Sequence, residues 1–176
     1  STQACDVVSG DRDLFQLVND SNQVRVISIT KGVKNLEIVD DAYLANRYGV
    51  TGKQYADFSM LRGDPSDGLP GVKGIGEKTA ARLITEHNDV AGLLSAAKDS
   101  QVHLAPAVRQ NLLASQDYIK AASKVVRVKT TARLPKNLDC PTKVLDSPSL
   151  QDLTDAWGIE RQVKRFLKTF SIDWVA

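Results

Sequence analysis

The sequence predicts an α/β fold whose second half is mostly helical, and three observations lead to it. Two short apolar runs, Cys5-Asp6-Val7-Val8 and Val24-Arg25-Val26-Ile27-Ser28-Ile29, have the length of strands, and the second is rich in β-branched residues. Past His87, apolar residues recur at helical spacing almost to the end of the chain. Between the two regimes lies a turn region rich in glycine and aspartate, Gly63 to Gly76. With 176 residues and 42% apolar composition, the chain can bury a core as one domain or as two small ones.

The first strand, Cys5 to Val8, runs into Ser9-Gly10-Asp11-Arg12-Asp13 and then a helical start at Leu14-Phe15-Gln16-Leu17. Acidic residues just past a strand stand where open α/β sheets place functional groups, and equally where a helix takes its N-cap, so Asp11 and Asp13 carry both readings. Lys31-Gly32 marks a turn between Val24–Ile29 and a further strand at Leu36 to Val39, which makes a hairpin or two edge strands. Asp40 and Asp41 read as caps of a helix that stops at Tyr48-Gly49. Thr51 and Gln54 have capping-box spacing, and Tyr55, Phe58 and Leu61 form the buried stripe of the next helix.

Glu77 to His87 places Ala80, Leu83, Ile84 and His87 on one helical face, with Lys78, Arg82 and Glu86 off it. A short helix at Val90 to Lys98 and a long one at Pro106 to Lys124 follow, the proline suiting a first turn. A short strand is expected at Val125 to Val128, a connecting segment with three prolines at Lys129 to Pro148, and a helical stretch broken near Gly158 at Leu150 to Phe170. The spacing of Trp157, Phe166, Leu167 and Phe170 reads as core packing rather than base stacking. No ligand role is assigned to His87 or His103.

Net charge is +2, unevenly spread: residues 1–70 carry seven Lys and Arg against ten Asp and Glu, residues 71–176 sixteen against eleven. An acidic half able to gather cations is joined to a basic half able to meet a polyanion, although solvated surface charge gives similar imbalances. No apolar run reaches membrane length and no charged-then-apolar leader is visible, so a soluble cytoplasmic protein with no membrane partner is expected. Cys5 and Cys140 lack the spacing of a zinc or redox pair and are expected to be buried or incidental.

The turn region holds two chemistries. Asp64 and Asp67, three apart, suit a divalent cation, while Gly71, Gly74 and Gly76 lead into a helix bearing Lys78, Thr79 and Arg82. Glycines here allow backbone angles closed to other residues, and free amides at a positive helix N-terminus form an anion site. A P-loop needs Gly-Lys-Thr contiguous, whereas Glu77 intervenes, and no strand feeds the glycines as a dinucleotide fingerprint requires. A plain glycine-rich helix-helix turn is the remaining alternative.

The run Gly63-Asp64-Pro65-Ser66-Asp67-Gly68-Leu69-Pro70-Gly71-Val72-Lys73-Gly74-Ile75-Gly76-Glu77-Lys78-Thr79-Ala80 closely resembles the signature of the 5' nuclease family, which includes bacterial 5'-3' exonucleases, the N-terminal nuclease domain of family A DNA polymerases, and flap endonucleases. Ser-Gly-Asp-Arg-Asp followed by Phe-Gln-Leu resembles that family's second acidic motif. The family has Asn where Gly68 stands, a departure that removes no ligand. The resemblance implies that Asp11, Asp13, Asp64 and Asp67 are catalytic metal ligands and that a helix-hairpin-helix element, with Lys73, Gly74, Gly76, Lys78, Thr79 and Arg82, grips duplex DNA phosphates. It further implies two Mg2+ (or Mn2+) ions in the complete enzyme and a K+ ion at the hairpin carbonyls. The family's opening metal-binding strand, its Glu-Ala-Asp-Asp-like segment and its basic arch have no counterpart here, so Ser1 is expected to begin mid-domain.

On this resemblance the expected fold is the C-terminal part of a mixed-sheet 5' nuclease domain followed by a mostly helical region. Residues 1–62 would complete the α/β core, 63–128 would hold the metal-binding turn and helix-hairpin-helix, and 129–176 would supply a connecting segment and C-terminal helices packing on the core. The expected function is that of a structure-specific 5' nuclease, a monomer acting on DNA 5' ends, nicks and flaps in bacterial replication and repair, associated with the nucleoid. A non-catalytic helix-hairpin-helix module would keep the hairpin but have no use for the four carboxylates. A hydrolase of small phosphate esters would use the carboxylates and leave the hairpin unexplained.

Overall fold

The computed structural model describes residues 4–133 and 147–169, which fall into two compact units, Ser1–Thr130 and Thr131–Ala176. In the first unit a three-stranded sheet of order β1-β2-β3 is built from Cys5–Ser9, Val24–Ser28 and Glu37–Val39. β1 and β2 are parallel, with Val7 opposite Val26, and their connection carries two 3-10 turns, Arg12–Leu17 and Asp20–Asn22. β2 and β3 are antiparallel, with Val26 opposite Val39, so the hairpin expected around Lys31-Gly32 forms, with Gly32 at φ +84°. One face of the sheet is buried through Val26 and Val39, while Val8 and Ile38 on the other face are exposed.

Helix α1 (Asp41–Tyr48) begins at Asp40, whose Oδ1 accepts the Tyr43 amide at 2.7 Å, and ends on Gly49 at φ +74°. Asp41 accepts instead from the Gly52 amide, the first of α2 (Gly52–Arg62), so it caps the neighbouring helix. Gln54 joins α2 to α3 (Glu77–His87): its Oε1 accepts the Thr51 amide at 3.2 Å, and its Nε2 donates to the carbonyls of Ile84 and Asn88.

α2 is the centre of the core, buried from Tyr55 through Leu61. Phe15, Tyr48 and Phe58 pack around Tyr55 with ring centroids 5.3, 5.5 and 5.8 Å away, in the tilted and edge-on arrangements that aromatic quadrupoles favour. Asp57, buried in the middle of α2, accepts the Val90 amide that opens α4 (Val90–Lys98) and pairs with Arg127. Burial pushes the Asp57 carboxyl up, against the Val90 hydrogen bond and the Arg127 charge. A buried carboxylate is tolerated here because both its oxygens are engaged.

Two expectations for the helical part of the first unit are corrected. The long helix over Pro106–Lys124 is two helices, α5 (Pro106–Ala114) and α6 (Gln116–Val126), parted at Ser115 with ψ 12°. Leu112, Ile119 and Val126 keep a seven-residue spacing across the break, which is why the apolar period runs on. At the break Gln116 Nε2 takes the Leu113 carbonyl at 3.0 Å, a side-chain substitute for the helical bond. No strand forms at Val125–Val128: Gln16 receives the Val128 amide and donates to the Val126 carbonyl, satisfying that backbone without a partner strand.

In the second unit α7 (Ser147–Trp157) and α8 (Glu160–Thr169) are separated by Gly158 at φ +61°, as the sequence indicates. Leu167 is buried, but Trp157 and Phe166 are 75% and 60% exposed, so the core role expected of them is corrected. Helical spacing identifies a shared face without saying what covers it. Phe170 and Cys140 lie outside the described residues, and Cys5 is exposed rather than buried.

Candidate functional site

Chain geometry delivers four aspartates from two turns. After β1, the Ser9 hydroxyl accepts the Asp11 amide at 3.0 Å, and Asp11 Oδ1 accepts the Asp13 amide at 2.9 Å, making Asp11 the cap of the 3-10 turn Arg12–Leu17. After α2, Asp64 caps the 3-10 turn Pro65–Asp67, and its amide and carbonyl bond the carbonyl and amide of Leu69 at 3.0 and 2.9 Å. This loop closes at a neck where Gly63 and Gly71 touch backbone to backbone. A Cβ on Gly63 would lie 2.8 Å from the Gly71 nitrogen, and one on Gly71 would lie 2.6 Å from the Arg62 carbonyl oxygen, so neither position admits a side chain. Tyr118 seals the neck: its hydroxyl accepts the Gly71 amide and donates to the Met60 carbonyl, both at 3.0 Å.

Arg12, lying between Asp11 and Asp13, spans the two turns, with Nη2 3.3 Å from Asp64 Oδ2. Arg62 reaches the same oxygen at 3.3 Å, while Asp64 Oδ1 accepts from the Ser66 amide at 3.1 Å and hydroxyl at 2.5 Å. The Ser66 hydroxyl foremost, with help from both guanidiniums and against burial, holds the Asp64 carboxyl below the usual range. Asp13 moves the other way. Burial raises it first, then the negative charges of Asp11, Asp67 and Asp64. Asp13 therefore feels the charges of the other three aspartates.

Among the described residues, no group of three acidic, histidine or cysteine side chains is disposed as a ready metal cage. The donors nonetheless fit a hard divalent ion in kind: they are carboxylate oxygens, and no described ion pair engages Asp13 or Asp67. Asp64 is the exception, since all its accepting capacity is directed at Ser66, Arg12 and Arg62.

The glycine hairpin between α2 and α3 lies directly after the neck. Val72 and Ile75 are buried and anchor it, with the Val72 amide on the Leu61 carbonyl at 2.9 Å. Asn111 donates to the Lys73 carbonyl at 2.9 Å. Gly71 and Gly74 have φ +73° and +74°, the left-handed region that glycine alone enters freely. Gly76 differs from expectation: at φ −89°, ψ −176° it is extended, an angle pair open to any residue. What marks it is open space, with no atom within 4 Å of where a Cβ would stand.

No carbonyl within the described chain receives the amides of Gly74, Gly76, Glu77, Lys78 or Thr79, and α3 has no side-chain cap. Those donors and the helix dipole make an anion-binding end. Lys73 and Lys78 are exposed and Thr79 is half-buried. Arg82 is exposed too, but its guanidinium is held by Glu86 at 2.8 Å. The sequence reading missed Arg12, Arg62, Asn111 and Tyr118. Arg12 had a signal, a cation flanked by two acids. Tyr118, 47 residues from Gly71, had none.

Comparison with known proteins identifies the family. Residues 50–147 match the family described as 5'-3' exonuclease, C-terminal SAM fold. The chain is 46% identical over 172 residues to a 5'-3' exonuclease of Streptomyces coelicolor, covering 97% of this chain and 57% of that protein. It is 42% identical over 172 residues to a 5'-3' exonuclease of Mycobacterium tuberculosis, covering 92% and 54%. The chain thus spans a little over half the length of these relatives. In fold it resembles the flap endonuclease of bacteriophage T5, solved with DNA and metal ions, at TM-score 0.57 and 22% identity, over 70% of this chain and 42% of that one. With the family match covering more than half the chain, and the turn of Asp64 and Asp67 and the glycine hairpin both inside it, the chain belongs to the 5'-3' exonuclease family.

Proposed function

We propose that this chain carries one metal-binding cluster and the DNA grip of a structure-specific 5' nuclease, a 5'-3' exonuclease and flap endonuclease of replication and repair. The observation that carries the reading is the meeting of Arg12 with Asp64, which joins acidic turns 52 residues apart beside a hairpin whose Gly74 and Gly76 amides, with those of Glu77, Lys78 and Thr79, face no carbonyl of the described chain. Asp11, Asp13, Asp64 and Asp67 would hold Mg2+ (or Mn2+), one of two ions in the complete site. Held by these residues, such an ion would supply an activated water and neutralise charge on the leaving oxygen of a phosphodiester.

The chain's own residues have separate tasks. Arg12 and Arg62 keep Asp64 ionised and fixed in direction. Lys73, Lys78, Thr79 and the amides of Gly74 and Gly76 hold duplex phosphates, and Arg82 joins them once it leaves Glu86. Contacts of this kind carry no base information, so selectivity is for structure, namely 5' ends, nicks and flaps. A K+ ion at the hairpin carbonyls belongs to the same proposal. In this reading residues 1–62 complete the nuclease core, 63–128 carry the metal turn and helix-hairpin-helix, and 129–176 form the connecting segment and last helices. The protein acts as a monomer in the bacterial cytoplasm, at the nucleoid.

A non-catalytic helix-hairpin-helix module is the second reading, favoured by the occupation of Asp64 by Ser66 and two arginines. Incubating the full-length protein with a labelled 5'-flap duplex separates the two. Cleavage near the flap junction in magnesium and none in EDTA is the expected result, whereas binding without cleavage in both conditions supports the module.

A further inference from the structure

Arg62 makes a set of contacts that neither a helix end nor a lone ion pair requires. Its side chain is 14% exposed and lies over the Phe58 ring, with the guanidinium carbon 5.0 Å from the centroid. Nε donates to the Gly63 carbonyl at 3.1 Å, Nη2 lies 3.3 Å from Asp64 Oδ2, and Nη1 lies 3.4 Å from Glu77 Oε2. The fork of a guanidinium is planar and rigid, so stacking it on Phe58 fixes the direction of both arms. One arm ends on the acidic turn. The other ends on the first residue of α3, next to Lys78 and Thr79, whose amides open the phosphate grip. Arg47 also reaches Glu77, at 3.4 Å, but only Arg62 among the described residues is paired with both Asp64 and Glu77.

We propose that Arg62 is a positioning residue that sets the spacing between the acidic cluster and the phosphate grip, and thereby which phosphodiester of the bound duplex is cut. The proposal rests on the nuclease reading above. The backbone neck at Gly63 and Gly71 holds the base of the hairpin, yet Glu77 lies six residues beyond Gly71, past the freely turning Gly74. Buried Val72 and Ile75 and the packing of α3 hold the hairpin in place, and the Arg62 fork adds the one side-chain link, among the described residues, that runs directly from Asp64 to Glu77 at its far end. Geometry held to a fraction of an ångström matters in such sites, because a small misplacement presents a neighbouring phosphate or none.

The test maps cut positions at single-nucleotide resolution on an end-labelled 5'-flap duplex, using the full-length protein and its Arg62→Met, Arg62→Lys and Glu77→Gln variants. Melting temperature and duplex affinity in EDTA are measured alongside. Arg62→Met keeps the stem and loses the fork, Arg62→Lys keeps the charge but cannot span two carboxylates, and Glu77→Gln leaves Arg62 and its buried contacts in place. All three should spread cleavage from one main position over neighbouring phosphates, with affinity in EDTA within about twofold of the parent because the grip is intact. Should Arg62→Met fail to fold, the exposed Glu77→Gln change decides alone. Slower cleavage at an unchanged position in Glu77→Gln and Arg62→Lys overturns the proposal while leaving the nuclease reading standing. A parent protein that cuts no flap in magnesium removes the reading and the proposal together.

Discussion

Arg12 Nη2 and Asp64 Oδ2 lie 3.3 Å apart, a single ion pair that closes the distance between the turn after β1 and the turn after α2. Arg12 is 45% exposed in its side chain and Asp64 11%, so water screens one partner and not the other. Arg12→Ala should cost no more than about 1 kcal/mol of stability, in the range of half-exposed pairs. Urea unfolding in EDTA checks this. The larger effect expected is on metal affinity, read by the magnesium-induced rise in melting temperature, because the turns that carry Asp13 and Asp64 are no longer tied together.

The two acidic turns should respond to pH with opposite signs. The Asp64 carboxyl is lowered in the folded state, so its contribution to stability is present above the unfolded-state value and is lost as pH falls through the folded one. The Asp13 carboxyl is raised, so the folded state favours its protonated form, a contribution present below the unfolded-state value and lost as pH rises through the folded one. At neutral pH in EDTA, Asp64→Asn should therefore destabilise and Asp13→Asn should stabilise. The gain from Asp13→Asn should vanish in acid. Denaturant midpoints at pH 7 and pH 3.5 give the comparison, and a loss of stability in both variants at pH 7 contradicts the shared-field account.

The hairpin glycines are not equivalent. Gly74→Ala places a side chain at φ +74° and should cost roughly 1–2 kcal/mol. Gly76→Ala, at an ordinary extended angle and facing open space, should cost less, only what glycine gains over alanine as the N-cap of α3. Gly76→Val should then weaken duplex binding while the protein stays folded and loses no more stability than Gly74→Ala, since its bulk obstructs the amides and clashes with nothing in the fold. Equal destabilisation at both sites goes against this distinction.

Much of this was legible in the sequence, for physical reasons that differ by element. Helix α1 declares itself through the aspartates and the glycine at its ends, α3 through a one-sided apolar face, and β1 to β3 through short runs bounded by turns. The aspartates and glycines stood out because turns demand particular residue types, which also made the family resemblance readable. What the sequence hid were relationships across it. The break at Ser115 lies inside an unbroken apolar period, and the Gln16 contacts that replace a strand at Val125–Val128 span more than a hundred residues. Gly76 looked like its neighbours because composition does not reveal φ.

Lys78 should contribute one phosphate contact. Lys78→Ala is expected to reduce the slope of log affinity against log salt by about 0.9 for duplex DNA, with the same loss for unrelated sequences. Fluorescence anisotropy across a salt series measures it, and an unchanged slope places Lys78 away from the backbone.

The central claim, that the acidic cluster does metal chemistry while the hairpin holds DNA, is tested most directly by Asp67→Asn in the full-length protein. Flap cleavage in magnesium and flap-duplex affinity in EDTA are measured on the same preparation. The account predicts cleavage slowed by about a hundredfold or more, with affinity within about twofold of the parent, because an ionised oxygen donor is lost and the hairpin is untouched. Cleavage at the parent's rate would contradict it, making Asp67 a turn residue and leaving the proposed metal site without one of its four ligands.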